Sequence, residues 1–287
     1  MKEGALPLPA DAVQAARVEI PPEGKSRDRQ DYLLIRDAFR LFRRTMEDSA
    51  ESWEAMEDII TLRASFLVDR MLTGLAMDFD TALELLRNFN NFTTERERQQ
   101  RDILVAAIEN LVDFAAAEEL AMVNEVNELP EGADEEMCEE VCEKYNLTYA
   151  VTENDNVEHA ALMAAWWIGI MDESIVTYMT QGDERVRATH LSLEGTSYRK
   201  SEFPAELIPP IEWACRCYLV ADGMSSVHGA LPAHKDYRKL VNPVFAQSLA
   251  KGGKIFTEAH PYFRKPLPEE VQKITERIKR KLHLYGN

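Results

Sequence analysis

Two short segments about twenty-five residues apart constrain this chain more than any other feature. The first, residues 182–190, is a charged turn led by Gly182 and carrying Asp183, Glu184, Arg185 and Arg187, and it ends on His190. The second, residues 209–217, opens with Pro209 and Pro210 and ends on Cys215, Arg216 and Cys217. Ahead of the turn, residues 174–179 are rich in β-branched and aromatic side chains, which fit a pleated, half-buried surface, so they read as a strand. Gly182 with Asp183 suits a tight turn. Residues 209–220 then supply a loop and an apolar run, Tyr218, Leu219 and Val220, that reads as a second strand returning beside the first. That arrangement brings the two segments together.

His190, Cys215 and Cys217 form a soft and borderline donor set of the kind zinc prefers. A fourth ligand is needed; Asp183, His228, His234 and His260 are the candidates, and spacing selects none of them. Cys-x-Cys is a tighter chelate than the spacing usual in zinc knuckles. On the alternative reading, Cys215 and Cys217 point to one face of a strand and pack as small apolar groups, with His190 a hydrogen-bonded core residue. Arg185, Arg187 and Arg216 have two readings as well. They suit a bidentate clamp on a phosphate or carboxylate, and they suit pairing with Asp183, Glu184, Glu194 or Glu212 to hold two loops together, which is the reading preferred. Cys138 and Cys142, four residues apart, read either as metal ligands with His159 or as buried cysteines on one helix face. Trp166 and Trp167 lie in an apolar helical run and read as core. There is no Gly-x-Ser-x-Gly, P-loop or His-Glu-x-x-His motif, and no catalytic residue is assigned.

Taken together, these motifs resemble the phage Mu protein F-like domain of head-morphogenesis (minor head) proteins. Asp183, Arg185, Arg187 and His190 match its first motif, and His190 through Gly195 matches its His-x-x-Leu-acid-Gly. Pro210, Cys215, Arg216 and Cys217 match its second motif. Asn242 to Phe245, Gly253 to Phe256 and His260 to Phe263 are similar to the close of the domain in some members, so the resemblance covers residues 157–263. Some relatives carry Cys-x-x-Cys where this chain has residues 186–190, which leaves one ligand there. The resemblance implies a phage or prophage minor head protein that acts in capsid morphogenesis, with portal protein and capsid or scaffold proteins as partners. It would be found inside the virion head, and in the host bacterial cytoplasm during assembly. The alternative is a metal-dependent enzyme, nuclease or toxin-like, built on His190, Cys215 and Cys217; the roughly two dozen residues after Phe263 leave no room for a fused toxin module.

Charge narrows the choice. The formal net charge of -17 argues against broad coating of DNA, which needs clustered Lys and Arg. Residues 131–160 hold ten acids and one base, whereas 264–283 hold seven bases and three acids, so only the C-terminal segment favours packaged DNA or an acidic partner. The apolar run at 160–171 is shorter than the roughly 20 residues a membrane helix needs, no secretion signal is visible, and four cysteines make no disulfide framework, which points to a reducing compartment.

The expected fold is α+β: a mainly helical N-terminal region, a small α+β domain of the Mu F-like kind, and a C-terminal helix. The divisions expected are a flexible arm (1–30), a helical domain (31–128), an acidic linker (129–156), the Mu F-like domain (157–263) and a basic helix (264–287). Tyr32, Ile35, Phe39, Phe42 and Met46 recur at helical spacing. A second helix over about 50–75 buries Trp53, Met56, Ile60, Phe66, Leu67 and Met71, and a third spans 80–89. A fourth starts at a Thr94/Glu97 capping box and runs to about 126. Residues 147–151 read as a short strand, 157–172 as a helix, and 269–282 as a helix with Val271, Ile274, Ile278 and Leu282 on one stripe.

Overall fold

The computed structural model describes residues 22–45, 49–88, 91, 94–222 and 237–282, so residues 1–21 of the arm expected at 1–30, Met46, Phe89, His228 and His234 lie outside the described residues. Helix α1 (Pro22–Thr45) begins inside the segment expected as an arm, with a proline at its first position, where the missing N–H costs nothing. Its stripe is buried as the spacing predicts: Tyr32, Ile35, Phe39 and Phe42 are all 5% exposed or less. Helix α2 (Ser49–Gly74) buries neighbouring pairs every four residues, Met56 with Ala55, Ile60 with Ile59, Leu67 with Val68 and Met71 with Leu72. Trp53 falls outside that series and is 38% exposed, and Phe66 is only half-buried, which corrects the face expected for them.

Helix α3 (Phe79–Arg87) is capped by Asp78, whose carboxylate accepts from the Thr81 backbone N–H at 2.9 Å, two residues before the expected start. Helix α4 (Glu95–Asn127) opens on the capping box: Thr94 N–H donates to Glu97 Oε2 at 3.0 Å and Glu97 N–H to Thr94 Oγ1 at 3.2 Å. The acidic stretch expected as a linker is helical from Glu135. Helix α5 (Glu135–Glu143), capped by Asp134, leads through a π-helical turn (Lys144–Tyr149) into α6 (Ala150–Gly169). The strand expected at 147–151 is therefore a correction. Its β-rich residues find no neighbouring strand among the described residues, while Lys144 and the Tyr145 hydroxyl bind the Glu125 carboxylate at 2.7–2.9 Å and hold the turn helical.

The residues group into two compact units: Met1–Asp69, Ile108–Asp155 and His260–Asn287 form one, and Arg70–Ala107 with Asn156–Ala259 form the other. In the first unit, α8 (Glu269–Lys281) buries Val271, Ile274 and Ile278, and Leu282, just past its end, is half-buried. The core of this unit also encloses a charged group. Arg63, 1% exposed, donates to Glu118 at 2.6 Å, Glu153 at 2.8 Å and the Asn154 side-chain carbonyl at 2.8 Å. The Tyr262 hydroxyl donates to the other Glu153 oxygen at 3.2 Å. Glu119, equally buried, accepts only from the Asn146 amide at 3.3 Å, and its second oxygen has no hydrogen-bond partner.

The second unit is built on a three-stranded antiparallel sheet in the order β2-β1-β3, with β1 (Ile175–Met179) between β2 (Ser197–Arg199) and β3 (Tyr218–Asp222). On β1 the side chains of Val176 and Tyr178 are buried and their neighbours are less so, the period-two pattern of a half-buried strand. Val176 pairs with Ala221 and Tyr178 with Leu219. The buried alternation continues backward from Leu219 to Cys217 and Cys215. Met163 and Trp167 of α6, together with Phe203, Leu207, Ile208 and Ile211, close the core over that face.

Candidate functional site

The first motif segment leaves β1 at Met179. Gly182 takes a left-handed φ of 66°, and Asp183 Oδ1 accepts the Arg185 backbone N–H at 3.1 Å, so the chain reverses within a few residues. A short helical turn, α7 (Ala188–Leu191), then carries His190 inward to 3% exposure. Gly195, at φ 81°, returns the chain to β1 by donating its N–H to the Tyr178 carbonyl at 2.9 Å. The Thr180 hydroxyl donates to the Glu194 carboxylate across the base of this loop.

In the second segment, Pro209 and Pro210 are buried and Trp213 is 1% exposed, edge-on to Phe245 at 4.9 Å and stacked on Phe256 at 5.7 Å. Glu212 accepts from the Asn242 amide at 2.6 Å. Ala214 has a φ of 51°, a left-handed conformation that costs an L-residue about 1–2 kcal/mol. It lies directly before the two cysteines and redirects the chain toward β3.

Four contacts tie the segments together besides the pairing of Met179 with Tyr218. Arg216 grips the Asp183 carboxylate with both terminal nitrogens at 2.7 and 2.8 Å. Arg187 donates to the Trp213 carbonyl at 2.9 Å, and the Gln181 amide to the Arg216 carbonyl at 2.9 Å. His190 Nδ1 lies 3.3 Å from Cys217 Sγ. From α6, His159 adds a brace: its Nδ1 is 2.6 Å from the Cys215 carbonyl oxygen, which can only accept, so Nδ1 carries the proton.

Cys215 Sγ is 3.8 Å from the same His190 nitrogen, and the three donor atoms all lie within 4.8 Å of one another, the three residues being at most 4% exposed. The Tyr178 hydroxyl is buried among them. It is close enough to couple electrostatically to both sulfurs yet outside hydrogen-bond geometry with any group, and burial, reinforced by the sulfurs, pushes its pKa up. Burial opposes ionisation of Cys215, but hydrogen bonds with Cys217 and His190 outweigh it and hold that thiol well below its ordinary 9.0. Cys217 is pushed up by its hydrogen bond to Cys215 and by burial. A pocket of about 20 Å³ adjoins the cluster, bordered by Gln181, Arg185, Arg187 and Arg216.

The other residues weighed from the sequence go elsewhere. Asp183 is engaged by Arg216, the pairing preferred for the motif arginines, and Arg185 borders the pocket. His260 belongs to the first unit, edge-on to Phe114 at 4.9 Å, with Nδ1 accepting the Tyr262 N–H at 3.3 Å; burial lowers its pKa to about 3, so the ring is neutral. Cys138 and Cys142 are buried free thiols on α5. Among the described residues, the His190/Cys215/Cys217 group is the one His/Cys/Asp/Glu convergence suited to a metal. Sequence reasoning missed Tyr178 and weighed His159 with Cys138 and Cys142 rather than with Cys215. The alternation of buried residues on β1 opposite β3 carries the signal for Tyr178; no local pattern marks His159.

No curated protein and no solved structure is significantly similar to the chain. Residues 117–220 match the family model described as Phage Mu protein F like protein. The matched segment starts earlier than the motifs and ends at Val220, so the similarities at 242–263 lie outside it. That segment, which contains both motif halves and the His/Cys cluster, is thus similar to the Mu F-like family and supports a domain of that kind there.

Proposed function

We propose that the protein is a minor head protein of a tailed phage or prophage, acting in capsid morphogenesis in association with the portal. One observation carries this reading: the segment that matches the Mu F-like family uses its most chemically distinctive residues to build itself. Asp183, Arg187, His190, Cys215, Arg216 and Cys217 are spent on loop-to-loop contacts, and the adjoining pocket of about 20 Å³ has room for one water rather than a substrate. That is the economy of an assembly protein. It disfavours the nuclease or toxin-like alternative, which needs the same cluster open to a substrate.

The partners in this reading are portal protein and capsid or scaffold proteins, and the place of action is the interior of the head. The net charge of -17 keeps the chain from adhering broadly to packaged DNA. Helix α8 offers DNA little free charge, because Arg277 and Lys281 pair with Glu57 and Lys279 pairs with Asp113.

The test is a particle assay. Infection or prophage induction with the gene intact and deleted, followed by gradient purification of heads and quantitative mass spectrometry, is expected to find the chain in heads together with portal protein. Its deletion is expected to lower the yield of filled heads. Purified heads that never contain the chain, with normal yield after deletion, would overturn the assignment.

A further inference from the structure

We infer that His190 Nδ1, Cys215 Sγ and Cys217 Sγ bind one zinc ion, which pins the charged turn to the start of β3. The geometry is that of a metal cage. Tetrahedral zinc with bonds of about 2.3 Å to sulfur and about 2.05 Å to nitrogen sets N···S edges of about 3.6 Å. The two N···S separations here, 3.3 and 3.8 Å, bracket that edge without any movement of the backbone. An ordinary thiol-to-imidazole contact requires one sulfur near one nitrogen; here two sulfurs converge on the same nitrogen, each from a different position along the approach to β3.

Local structure explains how so short a chelate closes. Cys-x-Cys on a regular strand already places both sulfurs on one face. The left-handed Ala214 and the His159 bond to the Cys215 carbonyl fix where that face starts, and the β1–β3 ladder fixes Cys217 beside Tyr178. Zinc binding releases protons from the ligand set, because both sulfurs bind as thiolates and the imidazole binds neutral through Nδ1.

The fourth position belongs to a water. The adjoining pocket of about 20 Å³ exceeds the roughly 10–15 Å³ one water needs, and the cluster forms one of its walls. Tyr178, wholly buried and without a hydrogen-bond partner, stands beside the sulfurs, where its hydroxyl donates to a thiolate once the metal is bound. Arg187 and Arg216, both held by the opposite segment, set positive charge around two anionic sulfurs. The site is therefore a cross-link, and nothing in it depends on the viral reading: a chain absent from heads could still carry the zinc.

The protein is purified without a histidine tag from zinc-supplemented medium, and its metal content is measured by plasma mass spectrometry. Stripped protein is then titrated with cobalt alone and followed by absorbance. About one zinc per chain is expected, with a thiolate-to-cobalt charge-transfer band that saturates near one equivalent. Cys217→Ser is expected to lose both, while the Cys138→Ser, Cys142→Ser double variant keeps both. Wild-type protein with well under one equivalent of zinc and no charge-transfer band would overturn the inference, and so would a Cys217→Ser variant that retains a full equivalent. If Cys217→Ser does not fold, the cobalt titration of the wild-type protein decides alone.

Discussion

Replacing Glu119 with glutamine should make this protein more stable, and the gain should depend on pH. Three carboxylates, Glu118, Glu119 and Glu153, are fully buried in the first unit around a single guanidinium, that of Arg63. Burial, with the Glu118 charge adding to it, pushes Glu119 and Glu153 well above their ordinary 4.5. Glu153 has direct bonds from Arg63 and Tyr262 to offset this, whereas Glu119 has the Asn146 amide, so Glu119 is the carboxyl that a neutral side chain relieves most. A proton held there in the native state is one the unfolded chain releases above pH 4.5, so the contribution of Glu119 to stability falls as pH rises beyond that value. Keeping the carboxyl neutral at pH 7, about 2.5 pH units above its ordinary value, costs at most about 3.4 kcal/mol. Discounting for the new amide N–H, which needs an acceptor, Glu119→Gln should gain about 1–2 kcal/mol at pH 7, shrinking toward zero near pH 4.5. Urea unfolding followed by circular dichroism at pH 5 and pH 7, on both proteins, measures the difference directly. A variant that is no more stable at pH 7, or whose advantage is the same at both pH values, would show that Glu119 is charged in the fold and the argument mistaken.

Other substitutions read the same physics. Arg63→Met strands Glu118 and Glu153 without a cation and should cost about 3–5 kcal/mol at neutral pH, seen as a large drop in unfolding midpoint. Ala214→Gly removes the left-handed penalty at φ 51° and should raise stability by up to about 1 kcal/mol, whereas Ala214→Val should lower it. Gly74→Ala places a Cβ 2.2 Å from the Glu158 carbonyl oxygen and 2.8 Å from the Ala161 Cβ; the backbone must shift, and a loss of about 1–3 kcal/mol in a thermal or urea melt is expected.

Much of this fold is legible in the sequence because local rules and burial agree. The Tyr32–Phe42 stripe, the Thr94/Glu97 capping box and the β-rich run at 175–179 each carry a short-range signal, and each forms the element it predicts. Residues 147–151 mislead because β propensity measures fit to a pleated surface, and no strand lies beside them to supply one. Trp53 misleads because its size suggests burial while its position on α2 points it outward. Within the candidate site, His190, Cys215 and Cys217 are legible from residue type, since few roles other than metal binding or packing suit that trio. Tyr178 and His159 are not, because their places depend on strand register and on the packing of α6, which no short motif encodes.

The ties between Asp183 and Arg216 and between Arg187 and Trp213 engage the most recognisable residues of the segment with one another and with the backbone, although Asp183 and Arg216 stay part-exposed. Large apolar side chains that face outward, such as Leu34 and Leu41 on α1, take no part in these ties. Two chains with the same lock between these segments can therefore differ freely in the surfaces they present.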